Sequence, residues 1–208
     1  MSANRFMPLA VMLMLAVLSL FSDSAKGQSS KTPLIPEVTI LRGEFQQIRT
    51  LKGFRNPLKS EGRFLVSKSN GVIWQNLKPF PSQIRISNSG KIVNLSKINT
   101  TQKAGQKITN PKPNAGMNKI MLAMLSGNQA EMAKYFKIER TESNGIWTLQ
   151  LQPKAGMARV FAHIEIKGDR YIQQVLMQEK SGDQTELHFS ALSEVPNTLT
   201  PEEKKYFE

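Results

Sequence analysis

The sequence predicts a mainly β fold of the α+β class, built on one curved antiparallel sheet. Short stretches of alternating apolar and polar residues follow one another between turns rich in Gly, Pro, Asn and Ser. A methionine-rich segment with helical spacing interrupts this series near the middle of the chain. Because about nine strands with one apolar face must curve around something, that segment is the candidate filler.

The first half of the predicted sheet is a meander of neighbouring strands. Ser69-Asn70-Gly71 is a strong hairpin signal, and Asn88-Ser89-Gly90 predicts a second tight turn. Alternation places Phe64 and Val66 on one face of the second strand and Leu65 on the other. The expected strands are residues 38–49, 60–67, 72–76, 83–87 and 91–95.

The middle of the chain predicts a polar, mobile loop over residues 101–116, followed by two short helices at about 117–136. The first helix is expected over residues 118–126 and the second over residues 129–136, with Gly127-Asn128 between them. Both are too short to be stable alone and must dock on the sheet. Their methionines either line a site for variable cargo or simply fill a core, and periodicity alone leaves both open.

Strands resume after the helices, and the chain ends in a short helix. Asn144-Gly145 is the strongest hairpin signal of this half. Thr200 and Pro201 fit the N-cap and first position of the C-terminal helix. The expected strands are residues 137–140, 146–152, 159–167, 170–179 and 185–191.

The N-terminus predicts export to the periplasm by a cleavable signal peptide, residues 1–27. Arg5 precedes an almost wholly apolar run, and Ala25 and Gly27 fit the small-residue rule for cleavage. An uncleaved anchor is the alternative, although the run is slightly short for a membrane span. Residues 28–208 are then expected to form a single domain, with residues 28–36 as a flexible leader.

Composition excludes several function classes. The chain has no cysteine, which excludes a lipobox, disulfides and thiolate chemistry. The formal net charge is +12, but the basic residues are scattered. An exported protein does not meet nucleic acid, so we expect attraction to anionic membrane surfaces or to an acidic partner instead.

No catalytic motif stands out. His163 and Glu165 share a strand face, but two ligands are too few for a metal site. The sequence lacks a nucleophile elbow, a phosphate-binding loop and a dinucleotide fingerprint. We therefore expect no catalytic residues, no metal and no cofactor.

Residues 41–189 resemble the periplasmic outer-membrane lipoprotein carriers, the LolA-like family, and residues 43–87 carry the most specific part of the likeness. The landmarks in chain order are Gly43, Phe45 and Gln47 in the first strand, then Gly62, Trp74 and Pro79. The run Ile120 to Leu125 falls where that family has its lid helix.

The resemblance implies an unclosed antiparallel barrel whose hydrophobic cavity holds acyl chains beneath a short helical lid. Such a protein binds its cargo and performs no covalent chemistry. The residues expected to line the cavity are Phe45, Phe64, Val66, Trp74, Ile84, Ile86, Met121, Leu122, Met124 and Leu125.

One position departs from the family pattern. The family has a basic residue followed by Pro before the hairpin that leads to the Trp, typically an Arg that bonds the closed lid. Counting back from Trp74, the matching residue is Lys68, followed by Ser69. Lysine keeps the positive charge but lacks the planar guanidinium group of arginine, so the resemblance implies a weaker bond to the closed lid. We call the residue at this position the latch. An exposed turn lysine is the alternative.

The expected function is a monomeric carrier that collects acylated lipoproteins from an inner-membrane transporter and delivers them to an outer-membrane acceptor. A carrier of another lipid or lipid-linked amphiphile on the same fold is the second reading. An acyl-sensing regulator of envelope stress is the third.

Overall fold

The structure, a computed structural model, describes residues 35–95 and 115–208, and within the first helix its account of side chains begins at Ile120. The predicted signal peptide, residues 1–27, and nearly all of the predicted polar loop at residues 101–116 lie outside these residues. Among the helices of the described part, none is both long and apolar enough to span a bilayer.

All strands of the described residues join one antiparallel sheet of ten strands, in the order β5-β4-β3-β2-β1-β10-β9-β8-β7-β6. The sheet is curved, and because its order ends on β5 and β6 it is an unclosed barrel. The predicted fold class is therefore confirmed. The strands are β1 Ile40–Thr50, β2 Leu58–Ser67, β3 Gly71–Lys78, β4 Ser82–Ile86, β5 Ile92–Asn94, β6 Phe136–Ser143, β7 Ile146–Pro153, β8 Phe161–Gly168, β9 Ile172–Glu179 and β10 Gln184–Ser193.

Pairing between β1 and β10 joins the two halves of the sheet. Phe45 lies opposite Phe189 on one side and opposite Gly62 of β2 on the other. Every other neighbouring pair is sequential, as expected for a meander. The predicted strand starts at residues 38, 159 and 170 are each two residues early. Arg159 ends a short 3₁₀ turn, Ala155–Arg159, and β8 begins at Phe161. Ala155 takes a φ of 37°, which turns the chain out of the extended conformation there.

Within the described residues, three α-helices accompany the sheet: α1 Ala115–Leu125, α2 Gln129–Tyr135 and α3 Pro201–Lys205. We call α1 and α2 together the helical pair. Gly127, with a φ of 71°, follows α1, and the Asn128 side chain caps α2 by accepting a hydrogen bond from the Glu131 amide at 3.1 Å. The predicted cap of α3 is confirmed, because Thr200 and Glu203 form a capping box.

The main hydrophobic core lies between the concave face of the sheet and the helical pair. Phe45, Ile120, Met132 and Phe136 are almost completely buried within it. Ile35 also belongs to this core and is 2% exposed. The prediction of a flexible leader reaching residue 36 is therefore wrong at its end, because burial of an isoleucine favours an ordered position over solvent.

A smaller apolar cluster lies on the outer face of the sheet. Ile40, Leu65 and Ile73 are buried there against Leu199 and Phe207 of the C-terminal segment. Arg42 of β1 holds this segment in place: its Nε donates to Oε1 of Glu203 and its Nη2 to Oε2, both at 2.6 Å. Leu65, on the face opposite Phe64, is thus buried too, because α3 and its flanking residues cover it.

Candidate functional site

Four aromatic rings form the centre of the concave face. The Phe45 and Trp74 rings stack with centroids 3.9 Å apart, and Phe64 stacks on Trp74 at 6.2 Å. Phe189 of β10 meets the edge of Phe64 at 5.4 Å. Phe189 was absent from the predicted lining, although it shares a strand face with Leu187 in the predicted strand at residues 185–191.

Two glycines of the sequence pattern make room for these rings. A Cβ on Gly43 would lie 2.6 Å from Cε1 of Phe64, and one on Gly62 would lie 2.9 Å from Cε1 of Phe45. Gly62 is the more restricted, because the same Cβ would lie 1.9 Å from the backbone oxygen of Gln75. The rings can therefore lie flat across β1 and β2 only because these two positions have no side chain.

The ten residues predicted to line a cavity all belong to the main core. Seven are buried: Phe45, Phe64, Val66, Trp74, Ile86, Met124 and Leu125. Three are partly buried and pack against them: Ile84, Met121 and Leu122. The tertiary structure thus brings the sheet residues and the helical residues of the predicted set together in one place.

This interior is filled by its own side chains. Phe64, Leu125 and Phe189, with the neighbouring Ile35 and Ile172, enclose a cavity of only about 10 Å³. That volume holds at most about one water molecule, whereas pockets for small ligands are roughly 300–1,000 Å³. The described residues are therefore closely packed at this place, and the helical pair covers the concave face; we call this arrangement the closed form.

An open cleft of about 380 Å³ lies beside the closed interior. Leu122, Ala123 and Ser126 of the helical pair line one part of it, and Lys68 and Glu37 line another. Solvent reaches this part of the helical pair at the cleft.

Lys68 lies at the turn between β2 and β3, and its side chain is 56% exposed. Its Nζ forms an ion pair with Oε2 of Glu37, in the segment that precedes β1. Asn88 supports the same turn by donating to the Lys68 oxygen at 3.2 Å and to the Ser69 oxygen at 2.7 Å. Lys68 thus faces the cleft shared with α1, and Glu37 is its ion-pair partner.

Glu165, one of the two strand residues considered as metal ligands, has other partners. Glu165 forms an ion pair with Lys167 at 2.7 Å and accepts a hydrogen bond from Gln150 at 2.6 Å. The hydrogen bond from Lys167 holds the pKa of Glu165 below its ordinary value, against the opposing effect of partial burial. Within residues 35–95 and 115–208, no three His, Asp or Glu side chains come together in an arrangement that could bind a metal.

Known proteins resemble this chain over most of its length. The family model described as outer membrane lipoprotein carrier protein LolA matches residues 37–202. The chain belongs to the LolA family. The matched region contains every strand of the sheet and the helical pair, so the resemblance seen in the sequence is confirmed.

Two curated relatives match a shorter part of this chain than the family model does. The outer-membrane lipoprotein carrier protein of Dechloromonas aromatica (strain RCB) is 31% identical over 121 residues, or 56% of this chain and 52% of the relative. The protein of the same name from Ralstonia nicotianae (strain ATCC BAA-1114 / GMI1000) is 32% identical over 128 residues, or 58% and 55%. The matched stretch therefore spans about half the length of these curated relatives.

Among solved structures, the crystal structure of a LolA superfamily protein from Nitrosomonas europaea aligns with 84% of this chain and 92% of its own. It is 9% identical, with a TM-score of 0.42.

Proposed function

We propose that this protein is a periplasmic carrier that binds the acyl chains of lipoproteins and shuttles them from an inner-membrane transporter to an outer-membrane acceptor. It acts as a monomer and performs no covalent chemistry. The observation that carries the proposal is the aromatic and aliphatic concave face of an unclosed barrel, covered by two short helices. Membership of the LolA family supports the same reading.

The energetics of acyl transfer explain why such a carrier is needed. Each buried methylene contributes about 0.8 kcal/mol, so a chain of about sixteen carbons resists leaving a membrane by roughly 12 kcal/mol. Transfer through water without a carrier is negligibly slow at that cost. A carrier must therefore bury a comparable apolar area and must also release it.

The proposed mechanism begins with displacement of the helical pair. Among the described residues, the cavity beside Phe64 and Leu125 is too small for an acyl chain, so α1 must move away from Phe64 and Trp74 before cargo enters. The acyl chain of the cargo would then occupy the positions that Met124 and Leu125 fill in the closed form. Methionine suits this exchange, because its flexible, polarizable side chain packs against surfaces of varied shape.

In this proposal, the cleft beside Lys68 is the entrance. Lys68 and Glu37 are more than half exposed, so their ion pair contributes only about 0–1 kcal/mol. The candidate latch is therefore weak, and most of the cost of opening comes from exposing the apolar residues of the helical pair. Because the latch is weak, the binding of cargo can displace the helices without an external energy source.

Native mass spectrometry of the protein freshly isolated from the periplasm tests the proposal. We expect a population carrying acylated protein or acylated peptide. Finding a free lipid instead would indicate that the protein carries another amphiphile on the same fold. Only empty protein, isolated without detergent, would contradict the carrier function.

A charge placed at the entrance tests the site itself. We expect Leu122→Glu to reduce cargo occupancy at least tenfold, because a carboxylate at this partly buried position opposes entry of an apolar chain. Ile146→Glu is the matched control, since Ile146 is exposed and lies outside the main core. Circular dichroism should show an intact sheet in both variants, and equal occupancy in both would reassign Leu122 to the packing of the closed form.

A further inference from the structure

Four large apolar side chains are exposed at the same end of the sheet, two of them in neighbouring turns. Phe54 and Phe80 are 68% and 81% exposed, and Leu58 and Leu77 are also open to solvent. We call these four residues the apolar tip. Hydrophobic side chains scattered singly on a surface need no explanation, but a cluster of them marks an interaction site.

The pairing of the strands explains why these residues are neighbours. Phe54 lies in the turn between β1 and β2, and Phe80 lies in the turn between β3 and β4. Both turns lie at the same end, because Leu58 pairs with Arg49 and Lys78 pairs with Glu61 across adjacent antiparallel strands. A groove of about 310 Å³ is lined by residues of β1, β2 and β3, including Lys59 and Lys78.

Basic side chains surround the apolar tip. Lys52, Arg55, Lys59 and Lys78 are all exposed there. Lys78 pairs with Glu61 at 2.7 Å. Within the described part of the chain, no carboxylate lies at ion-pair distance from the other three side chains. The tip therefore combines apolar side chains with uncompensated positive charge.

The positive charge continues along the same end of the sheet. The turn before β8 carries exposed Lys154 and Arg159, and the turn before β10 carries exposed Lys180. In the four turns at this end, Asp183 is the single acidic residue, and it pairs with Arg49. Within the described residues, the turns at this end of the sheet are therefore predominantly basic.

We propose that the apolar tip docks the protein on an anionic membrane surface. In this arrangement Phe54 and Phe80 enter the boundary between headgroups and acyl chains, and Lys52, Arg55 and Lys59 contact lipid phosphates. Aromatic and aliphatic side chains flanked by Lys and Arg are the composition that binds such interfaces. This site goes beyond the proposed carriage of acyl chains and does not depend on it.

The shape of the tip favours a membrane over an acidic protein as the occupant. The two phenylalanines lie in separate turns that protrude beyond the ends of the strands, and Phe80 is flanked by Pro79 and Pro81. Protruding apolar side chains can enter a fluid headgroup layer, whereas a protein partner would need pockets matched to both. The docked orientation also leaves the cleft beside Lys68, at the opposite end of β2, free for other contacts.

Co-sedimentation with vesicles tests the apolar part of this proposal. The probe is phosphatidylethanolamine and phosphatidylglycerol at about three to one, compared with phosphatidylcholine alone. We expect the processed protein to bind the anionic vesicles preferentially, and the Phe54→Ser, Phe80→Ser double variant to bind them at least tenfold more weakly. Val195→Ser is the matched control, since Val195 is 80% exposed and follows the opposite end of β10.

A charge-matched pair of variants tests the basic part. Replacing Arg55 and Lys59 with Gln should weaken binding by roughly fivefold for each charge, about 25-fold together. Replacing the exposed Lys91 and Lys204 with Gln removes the same net charge elsewhere and should change binding much less. Equal losses in both variants would show a general charge effect and would overturn the site.

Insertion itself is tested with a fluorescent reporter. In Phe80→Trp, we expect lipids brominated on their acyl chains to quench the new tryptophan, whereas in Val195→Trp they should not. Trp74 and Trp147 are buried and provide a constant background. The proposal would be overturned by binding without quenching, by binding to phosphatidylcholine vesicles alone, or by the absence of any vesicle binding. The absence of vesicle binding would point to an acidic protein as the partner.

Discussion

The aromatic centre of the interior depends on a position that has no side chain. Gly62 of β2 lies opposite Phe45 of β1, and its backbone approaches Gln75 of β3 where the β2–β3 register shifts. Phe45 can therefore lie across the strand and stack on Trp74. A methyl group at Gly62 would force either the backbone or the ring to move, since the core around it is closely packed.

We expect Gly62→Ala to lower the free energy of unfolding by about 1–3 kcal/mol, the usual cost of overpacking a core. Gly156→Ala is the control, because nothing lies within 4 Å of a Cβ at that position. Urea unfolding should show the loss in Gly62→Ala and little change in Gly156→Ala. Equal stability of the two variants would mean that the Gly62 backbone relaxes freely.

The helical pair is held mainly by burial of a few side chains. Ile120, Met124 and Met132 point into the core and are almost completely buried. Neither helix is long enough to persist without these contacts. Gly127, which follows α1, lies close to the segment before β1. A Cβ at Gly127 would lie 2.6 Å from the backbone oxygen of Pro36. The helical pair is therefore a separate layer on a sheet that is hydrogen-bonded throughout.

Hydrogen exchange should reveal this difference between the elements. We expect Ile120→Ala to increase amide exchange in α1 and α2 at least tenfold while the amides of β1, β2 and β10 remain protected. Phe45→Ala, which removes a side chain from the sheet itself, should increase exchange in those strands as well. Uniform exchange changes in Ile120→Ala would mean that the helical pair and the sheet unfold as one unit, which would weaken the proposed opening.

On the scale of the whole molecule, the sheet buries apolar side chains on both faces. The concave face is covered by the helical pair and part of the outer face by the C-terminal segment. The hydrogen bond from Arg42 holds the pKa of Glu203 below its ordinary value, against the opposing effect of partial burial. A carboxyl with a lowered pKa stabilises the fold above its ordinary pKa, and this contribution is lost as the pH falls through the lowered value.

We therefore expect Glu203→Gln to be less stable than the unmodified protein at pH 7, by about 1–2 kcal/mol. The difference should shrink as the pH falls below the ordinary value of 4.5, where Glu203 of the unfolded chain takes up a proton, and it should vanish below the lowered pKa of the folded protein. Glu202→Gln in the same helix is the control, because Glu202 is exposed. Thermal unfolding measured across this pH range checks both effects, and a constant difference between the proteins would contradict the Arg42–Glu203 account.

Much of the fold could be predicted because its determinants are local. Alternation of side chains, Gly-containing turns and the Thr200 cap each act within a few residues, so they are readable along the chain. The apolar residues of the concave face were predictable for the same reason. Phe189 was missed from the site because its partners, Phe64 and Trp74, lie more than a hundred residues away in the sequence.

The sequence by itself determined the order of the strands, the cap of the C-terminal helix and the apolar residues that form the interior. Only the tertiary structure decided that this interior is closed, that Ile35 belongs to it and that the C-terminal segment covers Leu65. It also decided that Phe54 and Phe80 share one exposed end of the sheet. The physical reason is that these properties depend on which distant strands pair and which faces are covered, and local periodicity carries no information about either.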